Sequence, residues 1–436
     1  MANVMAVPDS AKEATTRFLR REFHRYYDTT KPILPDRFGR REFGFMFWTP
    51  GIVQRHLGFS KEEDLRSFLL DRVPAHAYYS SAYYEKPDAP TMEEKGWLGA
   101  DLIFDLDADH LPGAKAMSYP EMLEAVREGI IRLWDRFLAT KFGIPETKMR
   151  LVFSGGRGYH IHVFDEKILP LGSHERREIV DFISAKGLDS TWIFKSSAFD
   201  KKEFQGRVRV KTRVVGPPTT APGWAGILAS GLIDLTRRLE EIGRDASIEF
   251  LASLPGIEKE AALSLYDSLF APRATSPRLI RAVDRVREGQ IEALADRDRD
   301  ALIRVVVALE QIPLSPDEDA PLAEIREKVA MRQRGETDEP VTSDIKRLIR
   351  MPSSLHGKTG LQVVPLSRDA IDDFRPLRDA VPRPWTDDDV RVTLKNKITL
   401  EIRGVGFNLA PGVNDVPQYL AIFLAARGLA TVVPEA

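Results

Sequence analysis

An acidic segment in the first third of the chain alternates carboxylates with apolar residues: Asp101-Leu-Ile-Phe-Asp105-Leu-Asp107-Ala-Asp109. Side chains at i and i+2 of a β-strand lie on the same face, so Asp105 and Asp107 would project together while the apolar residues pack on the other face. Two such carboxylates repel each other unless a cation lies between them, and Mg²⁺ is typically held by one or two carboxylates together with substrate phosphates. The pattern predicts a metal-dependent phosphoryl-transfer site, and the alternative is an acidic strand end that faces solvent.

A glycine-rich turn follows about fifty residues later, in the segment Ser154-Gly-Gly-Arg157-Gly-Tyr-His160-Ile-His162. Glycines let backbone N–H groups approach an anion, and the arginine adds a bidentate phosphate donor. The glycine order is neither that of a Walker A loop nor that of a Rossmann loop, and a strand rather than a helix follows. The turn is therefore predicted to hold a triphosphate. Two alternatives stay open, an ordinary tight hairpin and a metal pair formed by His160 and His162.

A third segment is basic, Arg350-Met-Pro-Ser-Ser-Leu-His356-Gly-Lys358-Thr-Gly. The residues before it predict a short helix that Ser343 caps and that ends at Pro352, with Leu348 and Ile349 toward the core. The cations and glycines that follow favour a second set of phosphate contacts. The alternative is a solvated basic loop.

The elements that would position these segments are mixed. Hydrophobic periodicity predicts helices at 10–28, 61–72 and 119–142, strands at 40–48, 77–84 and 98–107, two strands within 149–164, a hairpin at 390–402 and a last helix after Asp415 that ends at Gly428. Two clusters of breakers, Gly216-Pro-Pro218 and Ala221-Pro-Gly223, mark a boundary, after which the pattern is helical. The predicted fold class is α+β, with a catalytic domain at 1–224 and 331–436 and a helical insertion at 225–330.

Composition excludes several kinds of chemistry. The chain has 436 residues, 43% of them hydrophobic and 29% charged, with a formal net charge of -2, so any nucleic-acid surface must be a local patch. It has no cysteine, which excludes disulfides, thiolate nucleophiles and cysteine-bound zinc or iron–sulfur clusters. No apolar stretch approaches the ~18 residues of a membrane span, and no signal peptide is expected, so the predicted location is cytoplasmic.

Taken jointly, the three segments resemble the archaeo-eukaryotic primases, specifically the small catalytic subunit of archaeal DNA primase. They occur in that family's order. Three segments upstream of them also resemble the same family: Arg41-Glu-Phe43, Tyr79-Ser-Ser-Ala82-Tyr-Tyr-Glu-Lys-Pro87 and Gly96-Trp-Leu-Gly99. The resemblance covers roughly residues 15 to 430 and is specific, because several independent motifs agree.

The resemblance implies a primase catalytic fold around an RRM-like antiparallel sheet, and template-directed primer synthesis by two-metal nucleotidyl transfer. Asp105 and Asp107 would be two of three carboxylates that bind Mg²⁺ or Mn²⁺. By the same resemblance the third carboxylate would be that of Asp338, with Asp344 as the fallback. The residues that would contact the phosphates of the incoming nucleotide are Ser154, Gly155, Arg157, His160, Arg350, His356, Lys358 and Arg55.

The implied partners are a single-stranded DNA template, nucleoside triphosphates and a large regulatory subunit that carries an iron–sulfur cluster and forms a heterodimer. No membrane is implied. Many relatives carry a zinc knuckle built on cysteines. Because this chain has no cysteine, no structural zinc is expected.

Two other functions compete with primer synthesis. One is a primase-like repair or end-joining polymerase that extends but does not initiate, and the other is an inactive nucleic-acid-binding scaffold of the same fold.

Basic residues alternate with other residues in the segment Arg207-Val-Arg209-Val-Lys211-Thr-Arg213. As a strand, this segment would either track template phosphates or form a solvated edge strand. The segment Leu254-Pro-Gly256-Ile257 is either a partial helix-hairpin-helix signature or an ordinary helical corner. The last helix of the chain is either part of the core or a surface for a partner.

Overall fold

The structure is a computed structural model that describes residues 9–48, 51–110, 117–188, 193, 195–204, 207–254, 256–271, 281–291, 294, 296–311 and 337–434. The chain divides into two compact units. One comprises Met1–Leu111, Met117–Val180 and Glu336–Ala436, and the other comprises Pro112–Ala116 and Asp181–Gly335. The predicted helical insertion at 225–330 falls inside the longer segment of the second unit, which begins earlier, at Asp181.

The chain combines helices with antiparallel strands, which agrees with the predicted α+β fold class. The strands are β1 (Phe43–Met46), β2 (Val53–Leu57), β3 (His76–Ser80), β4 (Ala82–Tyr84), β5 (Trp97–Ala100), β6 (Leu102–Asp107), β7 (Met149–Phe153), β8 (Gly158–Val163), β9 (Lys195–Phe204), β10 (Arg207–Val215), β11 (Leu348–Arg350), β12 (Val364–Leu366), β13 (Asp389–Leu394), β14 (Ile398–Ile402), β15 (Val405–Leu409), β16 (Gly412–Pro417) and β17 (Ala430–Val432). The α-helices are α1 (Asp9–Thr29), α2 (Glu62–Arg72), α3 (Tyr119–Arg132), α4 (Ser173–Ile183), α5 (Gly223–Ile242), α6 (Arg244–Ala252), α7 (Lys259–Phe270), α8 (Ala282–Arg287), α9 (Asp296–Gln311), α10 (Glu339–Ser343), α11 (Ala370–Asp373), α12 (Pro376–Asp379) and α13 (Gln418–Ala426).

Two four-stranded antiparallel sheets carry the first unit. One has the strand order β12-β7-β8-β6 and the other has the order β11-β3-β1-β2. Every residue of the inner strand β8 is buried, whereas in the edge strand β6 only Asp105 and Asp107 are partly exposed. The period of two thus directs both aspartates to one accessible face, as the sequence predicts.

Helix α3 packs against β6 and β8 and supports this sheet. Ser118 caps it by accepting from the Glu121 N–H, while the Glu121 carboxylate accepts from the Ser118 N–H, and Pro120 fits the first turn. The α-helical hydrogen bonding ends at Arg132, and the predicted continuation toward 142 is a π-helical segment, Leu133–Ala139.

The second unit contains the β9–β10 hairpin and helices that pack on one another. The buried apolar residues of α5 recur on one face, as the helical spacing predicts: Ile227, Leu228, Leu232, Leu235 and Leu239. β10 is extended as predicted. Its side chains, and Pro255 of the corner before α7, lie outside the part of the chain that the structure describes, so the predictions about nucleic-acid contacts there stay predictions.

Two local predictions are wrong. The sequence predicts a short helix that begins at Ser343, but the helix in this region ends at that residue. Leu348–Arg350 is a strand that pairs with β3, with Leu348 opposite Ser80. Its hydrogen bonds to β3 outweigh the helical preference that the spacing of its apolar residues indicates. The predicted hairpin at 390–402 consists of two strands with other partners: β13 pairs with β16 and β17, while β14 pairs with β15.

Helix α13 is core. Every residue from Gln418 to Ala425 is buried, which agrees with the core alternative for this apolar segment. Among the described residues, no helix combines the length and apolar character that a membrane crossing requires.

Candidate active site

A cavity of about 560 Å³ opens in the first unit, within the usual size range for a ligand site. It brings together eight of the predicted site residues, which lie in β6, the glycine turn, β8, β11 and the turn after it: Asp105, Asp107, Ser154, Arg157, His160, Arg350, His356 and Lys358. Segments separated by more than two hundred residues therefore meet at one place.

The carboxylates form one side of the cavity. Burial, and then the charges of Asp107 and Asp338, raise the pKa of Asp105 to about 7. Asp107 accepts a hydrogen bond of 3.0 Å from the Asp109 N–H. Asp338 lies just before α10, and its N–H donates to the Asp105 carbonyl oxygen at 2.8 Å, although the residue is not part of the cavity lining. The fallback Asp344 accepts from the Lys346 N–H and does not line the cavity either.

The acidic residues suit a divalent cation that is shared with substrate. Within the described residues, no group of three or more His, Asp or Glu is arranged to hold a metal ion by itself. The raised pKa of Asp105, next to two other carboxylates, marks negative charge that a cation would relieve. Mg²⁺ characteristically takes one or two carboxylates and completes its coordination with water and phosphate oxygens. Asp105 and Asp107, with Asp338 beside them, fit that donor set.

The glycine turn is tightly closed by its own hydrogen bonds. The Ser154 N–H donates to the Gly158 carbonyl oxygen at 2.9 Å, and the N–H groups of Gly156 and Gly158 both lie 3.3 Å from Ser154 Oγ, to which they donate. Gly155 has φ +76°, and a Cβ there would lie 2.8 Å from His356 Cβ, so only glycine fits. Because Ser154 Oγ already accepts from two N–H groups, its own O–H remains to donate to a ligand in the cavity.

Arg157 points along the rim of this turn. It forms an ion pair with Asp109, and its Nη2 lies 3.9 Å from Asp107 Oδ1. His160 sits opposite Asp105 in the β6–β8 ladder, with Nε2 3.4 Å from Asp105 Oδ1. Burial, and then the charges of Arg350 and Arg347, lower the pKa of His160 to about 3, so the imidazole is neutral and this contact is not an ion pair.

The idea that His160 and His162 form a metal pair gains no support. His162 is buried, does not line the cavity, and has Nδ1 3.3 Å from the Tyr79 hydroxyl. The other ring nitrogen of each histidine, Nδ1 of His160 and Nε2 of His162, has no hydrogen-bond partner in the described part of the chain.

The basic side of the cavity depends on His76, which sequence reasoning missed. Arg350 Nη1 donates to His76 Nδ1 at 2.7 Å, the Gly357 N–H donates to the same atom at 3.2 Å, and the guanidinium stacks on Tyr78 at 5.2 Å. Two donors on one ring nitrogen require it to be unprotonated. Burial, with the charges of Arg350 and Lys358, accordingly lowers the pKa of His76 to about 3.

The turn that carries His356 is joined to the glycine turn. Thr359 Oγ1 donates to the Gly155 carbonyl oxygen at 2.5 Å, and the Thr359 hydroxyl also lies 3.2 Å from His356 Nδ1. Burial and neighbouring cations hold the pKa of His356 well below its ordinary value, so it too is neutral. Lys358 is exposed at the cavity edge.

Arg55 lies elsewhere. Its guanidinium binds the buried carboxylate of Glu42, with Nε 3.0 Å from Oε1, and the residue does not line the cavity. Sequence reasoning also missed several lining residues besides the supporting His76, among them Tyr78, Arg347 and Arg427. Arg347 lies in a segment rich in basic residues, which is a signal that the sequence offers. No spacing rule connects residues 78 and 427 to the site.

The sequence matches the family model described as DNA primase small subunit over residues 104–368. Similar proteins named DNA primase small subunit PriS occur in Methanothrix thermoacetophila, 39% identical over 96% of this chain and 99% of that protein, and in Methanocella arvoryzae, 38% identical over 97% of this chain and 100% of that protein. The PriS of Halorubrum lacusprofundi is 37% identical over 97% of this chain and 99% of that protein. The family match includes Asp105 and Asp107, the glycine turn and the basic segment that begins at Arg350.

Proposed function

The chain belongs to the family of DNA primase small subunits and has the catalytic primase function in DNA replication, and from that premise we propose that the cavity described above is where it joins nucleotides. The reaction is nucleotidyl transfer: a 3'-hydroxyl forms a bond to the α-phosphorus of a nucleoside triphosphate, and pyrophosphate leaves. The substrates are nucleoside triphosphates and a single-stranded DNA template.

One observation carries the proposal. Two carboxylates and five cationic side chains face the same cavity, and four of the cations, Arg347, Arg350, Lys358 and Arg427, have no carboxylate within 4.0 Å among the described residues. A site with acidic residues on one side and unpaired cations on the other is complementary to a triphosphate that carries a divalent cation.

Asp105, Asp107 and Asp338 are the residues that would hold Mg²⁺ or Mn²⁺. When bound, such ions lower the pKa of the attacking hydroxyl and stabilise charge on the phosphates. Opposite them, Arg350 is fixed by His76 and Tyr78 and donates to the phosphates that leave. Ser154 donates through its free O–H, and Lys358 and Arg157 add positive charge at the rim.

The neutral histidines have a different role from the arginines. His160 and His356 are buried and uncharged, so each offers a ring N–H or a lone pair rather than a full charge. His160 holds Asp105 at its position through the 3.4 Å contact, and His356 packs beneath the glycine turn. They orient the site without adding to the repulsion among its cations.

Three finer features belong to the same proposal. The four-stranded sheet β12-β7-β8-β6 would be the RRM-like sheet of the primase catalytic fold, the first unit the catalytic domain, and the second unit the insertion. The relatives are named small subunits, which supports a heterodimer with a large regulatory subunit. The protein would be classed as a nucleotidyltransferase, and its location would be the cytoplasm.

The test is primer synthesis on an unprimed single-stranded template with labelled nucleotides and Mg²⁺ or Mn²⁺. The wild type is compared with the double variant Asp105→Ala/Asp107→Ala. Asp415→Ala is the matched control, because Asp415 is an exposed strand aspartate that pairs with Arg391.

Short template-dependent products from the wild type and the control, and none from the double variant, are expected. Extension of supplied primers without initiation would favour the repair-type polymerase. Inactivity with and without a primer would favour the scaffold. Full activity of the double variant would contradict the assignment of the carboxylates.

A further inference from the structure

Helix α13 reaches the cavity with its last residues, although its sequence indicates only core or a partner surface. Ala426 and the C-cap residue Arg427 line the cavity wall. None of the segments with phosphate-binding character includes this arginine. Its position therefore calls for an explanation that burial of the helix does not provide.

Aromatic rings and the glycine turn hold the Arg427 side chain in place. Its guanidinium carbon lies 4.0 Å from the ring centre of Tyr119 and 5.4 Å from that of Phe423. The Tyr119 hydroxyl donates to the Gly156 carbonyl oxygen at 2.6 Å. Arg427 is thus positioned, through Tyr119, relative to the turn that also carries Arg157 and packs against His356.

Capping of the helix does not account for this arginine. An arginine at a helix C-terminus often binds the last carbonyl groups, but backbone donors already serve here: the N–H groups of Gly428 and Leu429 donate to the carbonyl oxygens of Ala425 and Leu424 at 3.0 and 2.9 Å. Gly428 has φ +69°, the left-handed conformation that such an end requires.

The charge of Arg427 is not balanced by protein. Among the described residues, no carboxylate lies within 4.0 Å of its guanidinium, whereas Arg157 on the neighbouring turn is paired with Asp109. Burial, with the nearby charge of Arg157, lowers the pKa of Arg427 from its ordinary value. A partly buried cation with a cationic neighbour favours an anion as its partner.

We propose that Arg427 binds the triphosphate of the incoming nucleotide from the glycine-turn side of the cavity, and that Tyr119 positions it. This inference rests on the proposed function, since it adds a residue to the same nucleotide site. The template strand is the other anion that could meet an arginine here. The triphosphate is favoured because Arg427 lines the same cavity as Ser154 and Arg350, the donors proposed above for the phosphates.

Equilibrium binding to Arg427→Gln provides the test. The ligands are a nucleoside triphosphate, the corresponding monophosphate and a single-stranded oligonucleotide, each measured at one fixed salt concentration. Arg72→Gln is the matched control, because Arg72 also ends a helix and stacks on two rings, Phe47 at 4.9 Å and Phe68 at 5.8 Å, but lies outside the cavity. Arg350→Gln serves as the reference for loss of a nucleotide contact.

Arg427→Gln should raise the Kd for the triphosphate about tenfold, as expected for loss of one charge-assisted hydrogen bond, and should change the Kd for the monophosphate and the oligonucleotide less than about twofold. Tyr119→Phe, which retains the ring but loses the hydroxyl, should raise the triphosphate Kd by a smaller factor. Arg72→Gln should leave all three unchanged. If Arg427→Gln does not fold, Arg427→Lys, which keeps the charge but loses the planar stack, should still weaken triphosphate binding.

Two outcomes would overturn this inference while leaving the proposed function intact. In one, Arg350→Gln weakens triphosphate binding and Arg427→Gln does not. In the other, Arg427→Gln weakens the oligonucleotide alone, which would assign the arginine to the template. Absence of triphosphate binding by the wild type would overturn both the inference and the proposed function.

Discussion

The acidic wall of the cavity, Asp105 and Asp107, and its basic wall, Arg350, His356 and Lys358, are built in different ways. The acidic wall comes from a single edge strand whose period of two directs both side chains to one face. The basic wall comes from strand β11 and the turn after it, which take their positions from β3. His76 of β3 accepts hydrogen bonds from both Arg350 and Gly357. Local geometry therefore places the carboxylates, whereas contacts between distant segments place the cations.

The two walls also differ in their electrostatics. Burial and neighbouring carboxylates raise the pKa of Asp105 to about 7, which means that negative charge is unfavourable there. Burial lowers the pKa of Arg350, so positive charge is unfavourable on the other side. Among the described residues, Asp105 and Arg350 thus each lack an oppositely charged side chain within 4.0 Å. Under the proposed function, a triphosphate with its divalent cation would supply both partners at once.

The largest expected effect comes from the acidic wall. Asp105→Asn keeps the shape of the side chain but removes its charge, so turnover in primer synthesis should fall at least about 100-fold. Because neighbours oppose that charge in the free protein, the thermal unfolding midpoint should stay equal or rise. Primer synthesis and a melting curve are measured on the same preparation.

Asp415→Asn is the control for this substitution, since it changes an exposed strand aspartate paired with Arg391. Its turnover should match the wild type. A fall in the melting midpoint of Asp105→Asn, in proportion to its loss of turnover, would show that the carboxylate supports the fold rather than the chemistry.

A smaller effect is expected from the basic wall. Arg350→Gln removes a charged donor that is fixed by His76 and Tyr78, and the Kd for a nucleoside triphosphate should rise about 30-fold, equivalent to about 2 kcal/mol. Arg391→Gln, at an exposed strand arginine, is the control and should leave binding unchanged. Equilibrium binding without turnover is the measurement. An unchanged Kd for Arg350→Gln would contradict the division of labour between the two walls.

The same difference between the walls explains what the sequence could predict. The alternation around Asp105 and the glycine turn with Ser154 are local patterns, and both occupy the cavity as expected. Strand β11 was expected to be helical, because its three residues give no local sign of the partner strand β3. Arg427 reaches the cavity only because α13 packs as core, which fixes where that helix ends.

Arg55 shows the limit of transferring residues by position alone. Here Glu42 is fully buried, and Arg55 is its charge partner, so the guanidinium is already engaged away from the cavity. A buried carboxylate requires such a partner, and this demand becomes visible only when burial is known.

A third prediction concerns how the basic wall is held. His76→Phe keeps a ring but removes the acceptor for Arg350 and Gly357, and the triphosphate Kd should rise about tenfold. His76→Asn should recover most of the affinity, because its side-chain oxygen can replace Nδ1 as the acceptor. Binding is measured for both variants in the wild-type and the Arg350→Gln backgrounds.

The double-mutant cycle decides whether His76 acts through Arg350. If it does, His76→Phe should have little further effect once Arg350 is replaced. Equal effects of His76→Phe in both backgrounds would mean that His76 supports the fold in general and does not position the arginine.

The last and smallest effect is a pH dependence of stability that arises from the basic wall. His76 has a pKa of about 3 in the folded protein, because it is buried and faces Arg350, Lys358 and the buried His356, whereas an unfolded chain has the ordinary value near 6.5. Between these values the unfolded state binds more protons, so stability is complete above about pH 6.5 and is lost as the pH falls toward 3. For His76 the loss at pH 5.5 should be on the order of 1 kcal/mol. Urea unfolding of the wild type and of His76→Asn at pH 7.5 and 5.5 measures it: the variant should lose less stability than the wild type, and equal losses would show that His76 is not held neutral by the basic wall.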